Sequence, residues 1–205
     1  GSVFKQWEKG VRLTKGEYLW IAEADDLAVP NFLEVVMAGA NKFTMAYTDS
    51  KQIDENDKRL ADDYRYYYDQ SMVKLLGKPA TYSGKQVIED CLSIKNQFMN
   101  VSSVVFAKQD LVNCFDKHMD ELLEFKVAGD WFVYVQLLLQ KDASCKLIGE
   151  SLNVHRRHPG SVTRLNYKVQ LKEIENIQKI CAKRTDVDTS KQSEYLDEVN
   201  QILKG

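Results

Sequence analysis

The sequence has little of what marks the special classes of protein. It contains three prolines, and no apolar run approaches the roughly twenty residues that a membrane-spanning helix needs. Its formal net charge is −2, so no basic field favours nucleic acid or an anionic membrane surface. The first residues also lack the basic and then apolar order of a secretory signal. These absences leave the pattern of an ordinary globular protein without a membrane-spanning segment.

Cysteine is also sparse, and the spacing of the cysteines matches no metal-binding motif. The four cysteines are far apart and form no C-x-x-C pair: Cys91, Cys114, Cys145 and Cys181. This spacing argues against a disulfide framework and against a structural zinc site. We therefore expect four reduced, mostly buried thiols, as in a cytoplasmic protein.

Helical and strand-like apolar patterns alternate along the chain. Helical spacing predicts helices at 2–16, 30–40, 84–94, 109–115, 129–141, 167–183 and 193–203. Short apolar runs predict strands at 17–22, 43–50, 100–108 and 145–157, the last broken near Gly149. This order is typical of an α/β fold with a mainly parallel sheet flanked by helices. The 205 residues suffice for one such domain, 1–165, followed by a C-terminal helical appendage, 166–205.

Two of the predicted strands end on acidic residues. One apolar run leads into Glu23, Asp25 and Asp26, and the next leads into Asp49. In an extended chain Glu23 and Asp25 face the same way, and crowded carboxylates repel one another unless a cation meets them. Ligands bind at the carboxyl ends of parallel strands, so these acids predict a site for Mg²⁺ or Mn²⁺ at one edge of the sheet. The alternative is a plain turn in which the aspartates accept backbone N–H bonds.

Four stretches, taken in order, form a more specific pattern. GVRLTKGEYLWIAEADDLAVPNFLE (10–34) runs from a helix through a G-E-Y step into an apolar strand, an acidic motif and a helix opened by proline. AYTDSKQIDEND (46–57), GDWFVYVQLLL (129–139) and VHRRHPGSVT (154–163) follow it. Together they resemble the central segment, the next strand and turn, the E-D-W helix start and the Y-R-x-H-x-x-S stretch of family 2 glycosyltransferases of the GT-A fold. The nearest members are bacterial enzymes of polysaccharide and cell-surface glycan synthesis.

The resemblance implies a function and assigns residues to it. It implies transfer of a sugar from a metal-bound nucleotide-sugar donor to a glycan or lipid-linked acceptor, with inversion at the anomeric carbon. Asp25 falls on the residue that holds the metal, Mn²⁺ or Mg²⁺, and Glu23 on the usual aspartate that contacts the ribose or the metal region. Asp130 falls on the catalytic base, which takes the proton of the acceptor hydroxyl. Gly129 stands where the family frequently has glutamate.

The HRRHPGS stretch supplies the basic part of the implied site. Arg156 and Arg157 would lie near the leaving phosphates and stabilise developing charge, and His158 would join the metal as a neutral imidazole. Ser161 belongs to the same stretch. The alternative is a solvated loop after a strand, just as Asp130 taken alone is an ordinary helix-capping or first-turn acid. His118, His155, Tyr64 and Tyr66 to Tyr68 are assigned to packing.

One departure from the family bears on the function. The family's opening strand and its nucleotide-base contacts precede the helix with which this sequence starts, so residues 2–165 resemble the C-terminal part of a larger transferase. A missing strand would expose a sheet edge, which predicts a homodimer. The expected location is the cytoplasm, extending to the inner face of the membrane. The competing functions are a non-catalytic binding domain and a metal-dependent phosphohydrolase, which would need more His and Asp ligands than the sequence offers.

Overall fold

The structure of the chain, a computed structural model, describes residues 2–39, 42–158 and 167–202. Several predictions fall outside these residues. They are the predicted helix ends at residues 40 and 203, the assignment of Ser161, and the predicted domain boundary between residues 165 and 166.

Helices and strands alternate through most of the described chain. The helices are α1 (Val3–Leu13), α2 (Phe32–Met37), α3 (Gln70–Leu76), α4 (Gly84–Val87), α5 (Lys108–Leu122), α6 (Gly129–Leu138), α7 (Tyr167–Arg184) and α8 (Thr189–Ile202). The strands are β1 (Tyr18–Trp20), β2 (Leu27–Ala28), β3 (Met45–Ile53), β4 (Arg59–Ala61), β5 (Ala80–Ser83), β6 (Val104–Ala107) and β7 (Ser144–Arg156). A π-helical turn, Ile88–Leu92, continues α4, and a 3-10 turn, Val101–Ser103, precedes β6. The predicted α/β class is confirmed.

The strands form one mixed sheet, which corrects the predicted strand direction. Its order is β1-β6-β3-β7-β2, with β4 beside β3 and β5 beside β7. The long strands β3 and β7 are parallel, but the other five strand pairs are antiparallel. The prediction of a mainly parallel sheet was therefore wrong. Apolar residues on both faces of a strand show only that both faces are covered, and here helices cover them whatever the strand direction.

Two apolar cores lie on opposite faces of the sheet. Met45 and Tyr47 of β3 point into the larger core, whereas Ala46 between them points into the smaller one. This alternation is the normal geometry of a strand. The larger core packs α1 and α3 to α7 against the sheet, and the smaller one packs α2 through Phe32 and Val36. The helices that support the site described below all contribute to the larger core.

All four predicted strands have different limits in the structure, and β6 begins four residues later than predicted, at Val104. β1 has three residues instead of the predicted 17–22, and Leu19 is its one buried residue. β7 is continuous through Gly149, where the sequence predicted a break. Its register against β3 shifts beside Thr48 and Asp49, which accommodates the irregularity without ending the strand.

Helix α6 is the most deeply buried helix and fixes one predicted site residue. Nine of its ten residues are buried, and Asp130 is the exception. The carboxylate of Glu173 on α7 accepts hydrogen bonds from three N–H groups that precede α6, those of Lys126 (2.6 Å), Val127 (2.9 Å) and Ala128 (2.8 Å). The burial of α6 and the hydrogen bonds from the residues before it to Glu173 therefore determine where Asp130 lies.

Helix α1 packs against the start of α6. Its buried face consists of Phe4, Trp7 and Val11, as the sequence predicted. A Cβ atom on Gly129 would lie 2.2 Å from Cζ of Phe4, so the ring occupies the space that a side chain would need. This contact gives a physical reason for glycine at a position where the resembling family frequently has glutamate.

Candidate functional site

The acidic residues 23–26 form a turn between β1 and β2. One carboxylate oxygen from each of Glu23, Asp25 and Asp26 lies within 4.8 Å of the others. The Glu23 N–H donates to Ser102 Oγ (2.9 Å), which ties the turn to the residues before β6. The sequence predicted Glu23 and Asp25 side by side in an extended chain. Asp26 joins them because the chain turns at Ala24 and Asp25.

Asp26 has a structural role within this turn. Its Oδ1 accepts the backbone N–H of Arg156 (2.9 Å), and its Oδ2 accepts Nδ2 of Asn100 (2.6 Å). Both carboxylate oxygens are therefore engaged by donors of the chain itself. These bonds join the acidic turn to the end of β7 and so bring residues 156–158 beside it.

Asp25 and His158 form a hydrogen-bonded pair whose donor atoms a cation could also take. Both side chains are exposed, and His158 Nε2 lies 3.0 Å from Asp25 Oδ2. Two ligands at right angles around an octahedral ion, each at about 2.1 Å, lie about 3.0 Å apart. Carboxylate oxygens suit Mg²⁺ and Mn²⁺, and a neutral imidazole can complete the set. Asp25 and His158, with Glu23 nearby, thus fit the divalent cation that the sequence analysis expected.

The pKa of Glu23 is raised by desolvation first and by the neighbouring negative charges second. Partial burial, and then the charges of Asp26, Asp25 and Asp130, raise the pKa of Glu23 to about 7. A shift of this direction means that its ionised form is poorly compensated by the chain around it. A cation bound at Asp25 would compensate it.

Glu23 and Asp130 line the same cleft. This cleft has a volume of about 530 Å³, and Phe4 and Trp7 of α1 form part of its wall. His155 lies on its border as well. The acidic turn after β1 and the start of α6, which two different stretches of the sequence indicated, therefore line one cleft.

Asp130 has the surroundings of a proton acceptor. Its Oδ1 accepts the N–H of Trp131 (2.7 Å), and its Oδ2 accepts Nδ2 of Asn96 (3.2 Å). Burial raises the pKa of Asp130 to about 6, although these two hydrogen bonds oppose the shift. A carboxylate with a pKa near the working pH is a more effective base than an ordinary surface aspartate. The predicted alternative of a first-turn acid also holds, since Asp130 is the second residue of α6.

The two predicted basic residues lie near the site, but their guanidinium groups have partners of their own. Arg156 donates to the carbonyl oxygens of Asp25 (2.8 Å) and Asp54 (2.9 Å) and pairs with Asp57 (2.7 Å). Arg157 donates to the hydroxyl of Tyr64 (3.1 Å). Arg156 therefore links the turn at residues 23–26 to the turn at residues 54–57, whereas Arg157 contacts Tyr64, which is itself bonded to His155 of the cleft.

His155 is the cleft residue that sequence reasoning passed over. Its Nδ1 lies 2.6 Å from the hydroxyl of Tyr64, and burial lowers the pKa of His155 below its ordinary value. The one signal in the sequence was its place three residues before His158, at the end of a predicted strand. A lone histidine on a strand is most often a packing residue, so that signal was weak.

Asp49, the second predicted strand-end acid, does not open onto the cleft. It lies within β3, which continues to Ile53, and it is fully buried. Its Oδ1 accepts the N–H groups of Ser50 and Tyr64 and the hydroxyl of Tyr68 (2.7 Å). The prediction that both acidic strand ends share one edge was wrong for Asp49, because β3 extends beyond it.

A scan against models of protein families gives no match to this chain, and neither does a search of curated proteins. Within residues 2–39, 42–158 and 167–202, no helix combines the length and the apolar character needed to cross a membrane. The interpretation of the site therefore depends on its geometry and its chemistry.

Proposed function

We propose that this chain is a glycosyltransferase that moves a sugar from a metal-bound nucleotide-sugar donor to a hydroxyl group of a glycan or lipid-linked acceptor. The reaction would invert the anomeric carbon, and the setting would be cell-surface polysaccharide synthesis. The observation that carries the proposal is the convergence of Glu23 and Asp130 on one cleft, beside the pair Asp25 and His158. Sequence resemblance to family 2 glycosyltransferases supplies the reaction class.

Asp25 and His158, with Glu23, would hold the cation. Their oxygen and nitrogen atoms suit Mn²⁺ or Mg²⁺, and the crowding of three carboxylates favours a positive partner. When bound, such an ion acts as a Lewis acid toward a leaving diphosphate. Asp26 would contribute by holding the turn, because both of its oxygens accept hydrogen bonds from the chain.

Asp130 would take the proton of the acceptor hydroxyl. The acceptor oxygen forms its bond to the anomeric carbon while the bond from that carbon to the phosphate oxygen breaks, and the leaving electron pair stays on the diphosphate. Asn96 and the Trp131 N–H orient the carboxylate, and burial keeps its pKa near 6. Both predicted basic residues are engaged by the chain itself, Arg156 by Asp25, Asp54 and Asp57 and Arg157 by Tyr64.

Calorimetric titration with nucleotides tests the proposal. We expect UDP or GDP to bind the wild-type chain in the presence of Mn²⁺ and to bind far more weakly after chelation or in Asp25→Ala. The matched control is Glu55→Ala, which removes an exposed acid from a neighbouring turn. Binding that is equal without the cation, or equal in Asp25→Ala, would contradict the proposal.

A non-catalytic binding domain is the second candidate. The engagement of Arg156 by the two turns favours it, because that residue is then unable to reach a leaving group. The two candidates differ in turnover. A transferase releases free nucleoside diphosphate from its sugar donor in an Asp130-dependent way, whereas a binding domain releases none above the Asp130→Asn level.

A further inference from the structure

A chain of three side chains leads from β7 into the candidate cleft. Arg157 Nη1 lies 3.1 Å from the hydroxyl oxygen of Tyr64, and that hydroxyl lies 2.6 Å from His155 Nδ1. Tyr64 is fully buried, and its ring packs at 5.9 Å against the ring of His155. His155 is only partly buried, and it lines the cleft together with Glu23 and Asp130.

The direction of these hydrogen bonds fixes the proton on His155. A guanidinium can only donate, so the Tyr64 oxygen accepts from Arg157. The Tyr64 proton then needs an acceptor, and among the described residues His155 Nδ1 is the acceptor within hydrogen-bond distance. A neutral imidazole that accepts at Nδ1 carries its own proton at Nε2. His155, which borders the cleft, would then carry an N–H donor at Nε2.

The charges around the cleft indicate what this donor meets. Glu23 and Asp130 face the same space with carboxyl groups, and Lys126 borders it as well. A sugar hydroxyl suits this set, because its hydrogen can be donated to a carboxylate while its oxygen accepts from an N–H group. Asp25 and His158 are not among the described residues that line this cleft, so the phosphate groups would have a separate place beside them.

We propose that His155 donates a hydrogen bond from Nε2 to a hydroxyl oxygen of the sugar held between Glu23 and Asp130, and that Tyr64 and Arg157 are positioning residues that set its tautomer. The proposal rests on the proposed function, since it takes a nucleotide sugar as the ligand. It goes beyond that function by assigning the recognition of the sugar to His155, which the sequence alone assigned to packing.

The tautomer is tested first, in the full chain without ligand. Long-range ¹H–¹⁵N NMR correlation distinguishes an imidazole protonated at Nε2 from one protonated at Nδ1. We expect the Nε2–H form for His155 in the wild type and a mixture of both forms in Tyr64→Phe, which lacks the hydroxyl. The exposed neighbour Tyr66 provides the control, and Tyr66→Phe should leave the Nε2–H form unchanged. A wild-type His155 protonated at Nδ1 would overturn the proposal.

The contact is tested by the difference between nucleotides and nucleotide sugars. Calorimetry with Mn²⁺ would compare UDP with UDP-glucose and UDP-N-acetylglucosamine, and GDP with GDP-mannose. We expect His155→Phe to weaken binding of the preferred nucleotide sugar about three- to tenfold, the loss of one neutral hydrogen bond, and to leave the free nucleotide unaffected. His155→Gln, which places an amide N–H near the same position, should recover part of the loss.

The outcomes separate this proposal from the proposed function. If nucleotides and their sugars bind His155→Phe as tightly as the wild type, the hydroxyl contact is overturned and the transferase proposal stands. If the wild type binds no nucleotide or nucleotide sugar with Mn²⁺, the proposed function fails and the assignment of His155 fails with it.

Discussion

Asp25 and Asp26 are neighbours in the sequence with opposite surroundings. Asp26 accepts hydrogen bonds at both oxygens, from Arg156 and Asn100, and so holds the turn together. Asp25 is exposed, and its side-chain contact is with His158. The division matters because a carboxylate that already satisfies the chain has little capacity left for a cation. The metal-binding hypothesis therefore concentrates on Asp25, Glu23 and His158.

His158→Ala tests this set of ligands at the scale of one side chain. Loss of an outer-shell partner alone commonly weakens metal binding 10- to 100-fold, so loss of a ligand should weaken Mn²⁺ binding by at least about tenfold. The paramagnetic signal of free Mn²⁺ measures the affinity directly. His118→Ala on α5 is the control and should bind Mn²⁺ as the wild type does, whereas an unchanged affinity in His158→Ala would remove His158 from the site.

The pKa of Asp130 predicts the pH dependence of turnover. The base must be ionised, and burial raises its pKa to about 6, so the rate at saturating Mn²⁺ should rise about tenfold per pH unit below 6 and level off above it. Asp130→Asn should lower the rate at least about 100-fold and keep the fold, because Asn can still accept the Trp131 N–H. Asp120→Asn, which replaces an exposed acid on α5, should change neither the rate nor its pH dependence. A rate in the wild type that is flat from pH 4.5 to 8 speaks against Asp130 as the base.

At the scale of elements, two helices far from the acidic turn in sequence determine the position of Asp130. Helix α6 is buried around Asp130, and Glu173 of α7 binds three N–H groups ahead of it. The larger core continues into α7 through Ile174, Ile177 and Cys181. Helix α7 thus contributes directly to the position of the proposed base.

Glu173→Gln tests this coupling. The amide keeps one acceptor oxygen and replaces the other with a donor that faces N–H groups, so we expect a loss of about 1.5–3 kcal/mol in the free energy of unfolding, measured with urea. Turnover should fall as well, because the start of α6 loses its anchor. Glu175→Gln on the same helix, whose carboxylate forms an exposed pair with Lys179, should cost less than about 1 kcal/mol. Equal stabilities in the two variants would contradict the role given to Glu173.

The elements that the sequence predicted well are those with a strong apolar pattern, one-sided in α1 and continuous in α6. The face of Phe4, Trp7 and Val11 on α1 and the apolar run of α6 follow from residue spacing alone. The direction of β6 could not be predicted, because a strand covered on both faces is apolar whether it runs parallel or antiparallel to its neighbours. The prediction that Asp49 lies at the site was also wrong. Its hydrogen-bond partners Tyr64 and Tyr68 lie far along the chain, so the sequence around Asp49 does not show that it is buried among them.

The sequence indicated the acidic residues of the site, but it did not indicate the hydrogen bonds between residues distant in the chain. Glu23, Asp25 and Asp130 were singled out from motif resemblance, and the structure brings Glu23 and Asp130 to one cleft. His155 was missed because its significance comes from the hydroxyl of Tyr64, which only the folded chain brings to it. Contacts between distant residues of ordinary composition leave no local pattern in a sequence.

At the scale of the whole molecule, one edge of the sheet bears on assembly. β1 pairs with β6 on one side, and no other strand of the described residues pairs with it. A strand edge of this kind presents unpaired N–H and C=O groups, so the homodimer predicted from the sequence remains our expectation. Light scattering coupled to size-exclusion chromatography measures the mass. A single species at the 23.6 kDa of one chain, at every concentration tested, would contradict it.

The proposed transferase activity depends on a divalent cation at the acidic turn. The most direct measurement is a crystal structure of the chain with Mn²⁺ and UDP, with the ion located by its anomalous scattering. We predict one Mn²⁺ peak at about 2.1 Å from the carboxylate of Asp25 and within ligand distance of His158 Nε2, next to the cleft that Glu23 and Asp130 line. An anomalous map with no peak at Asp25, or with the ion bound elsewhere on the chain, would contradict the account.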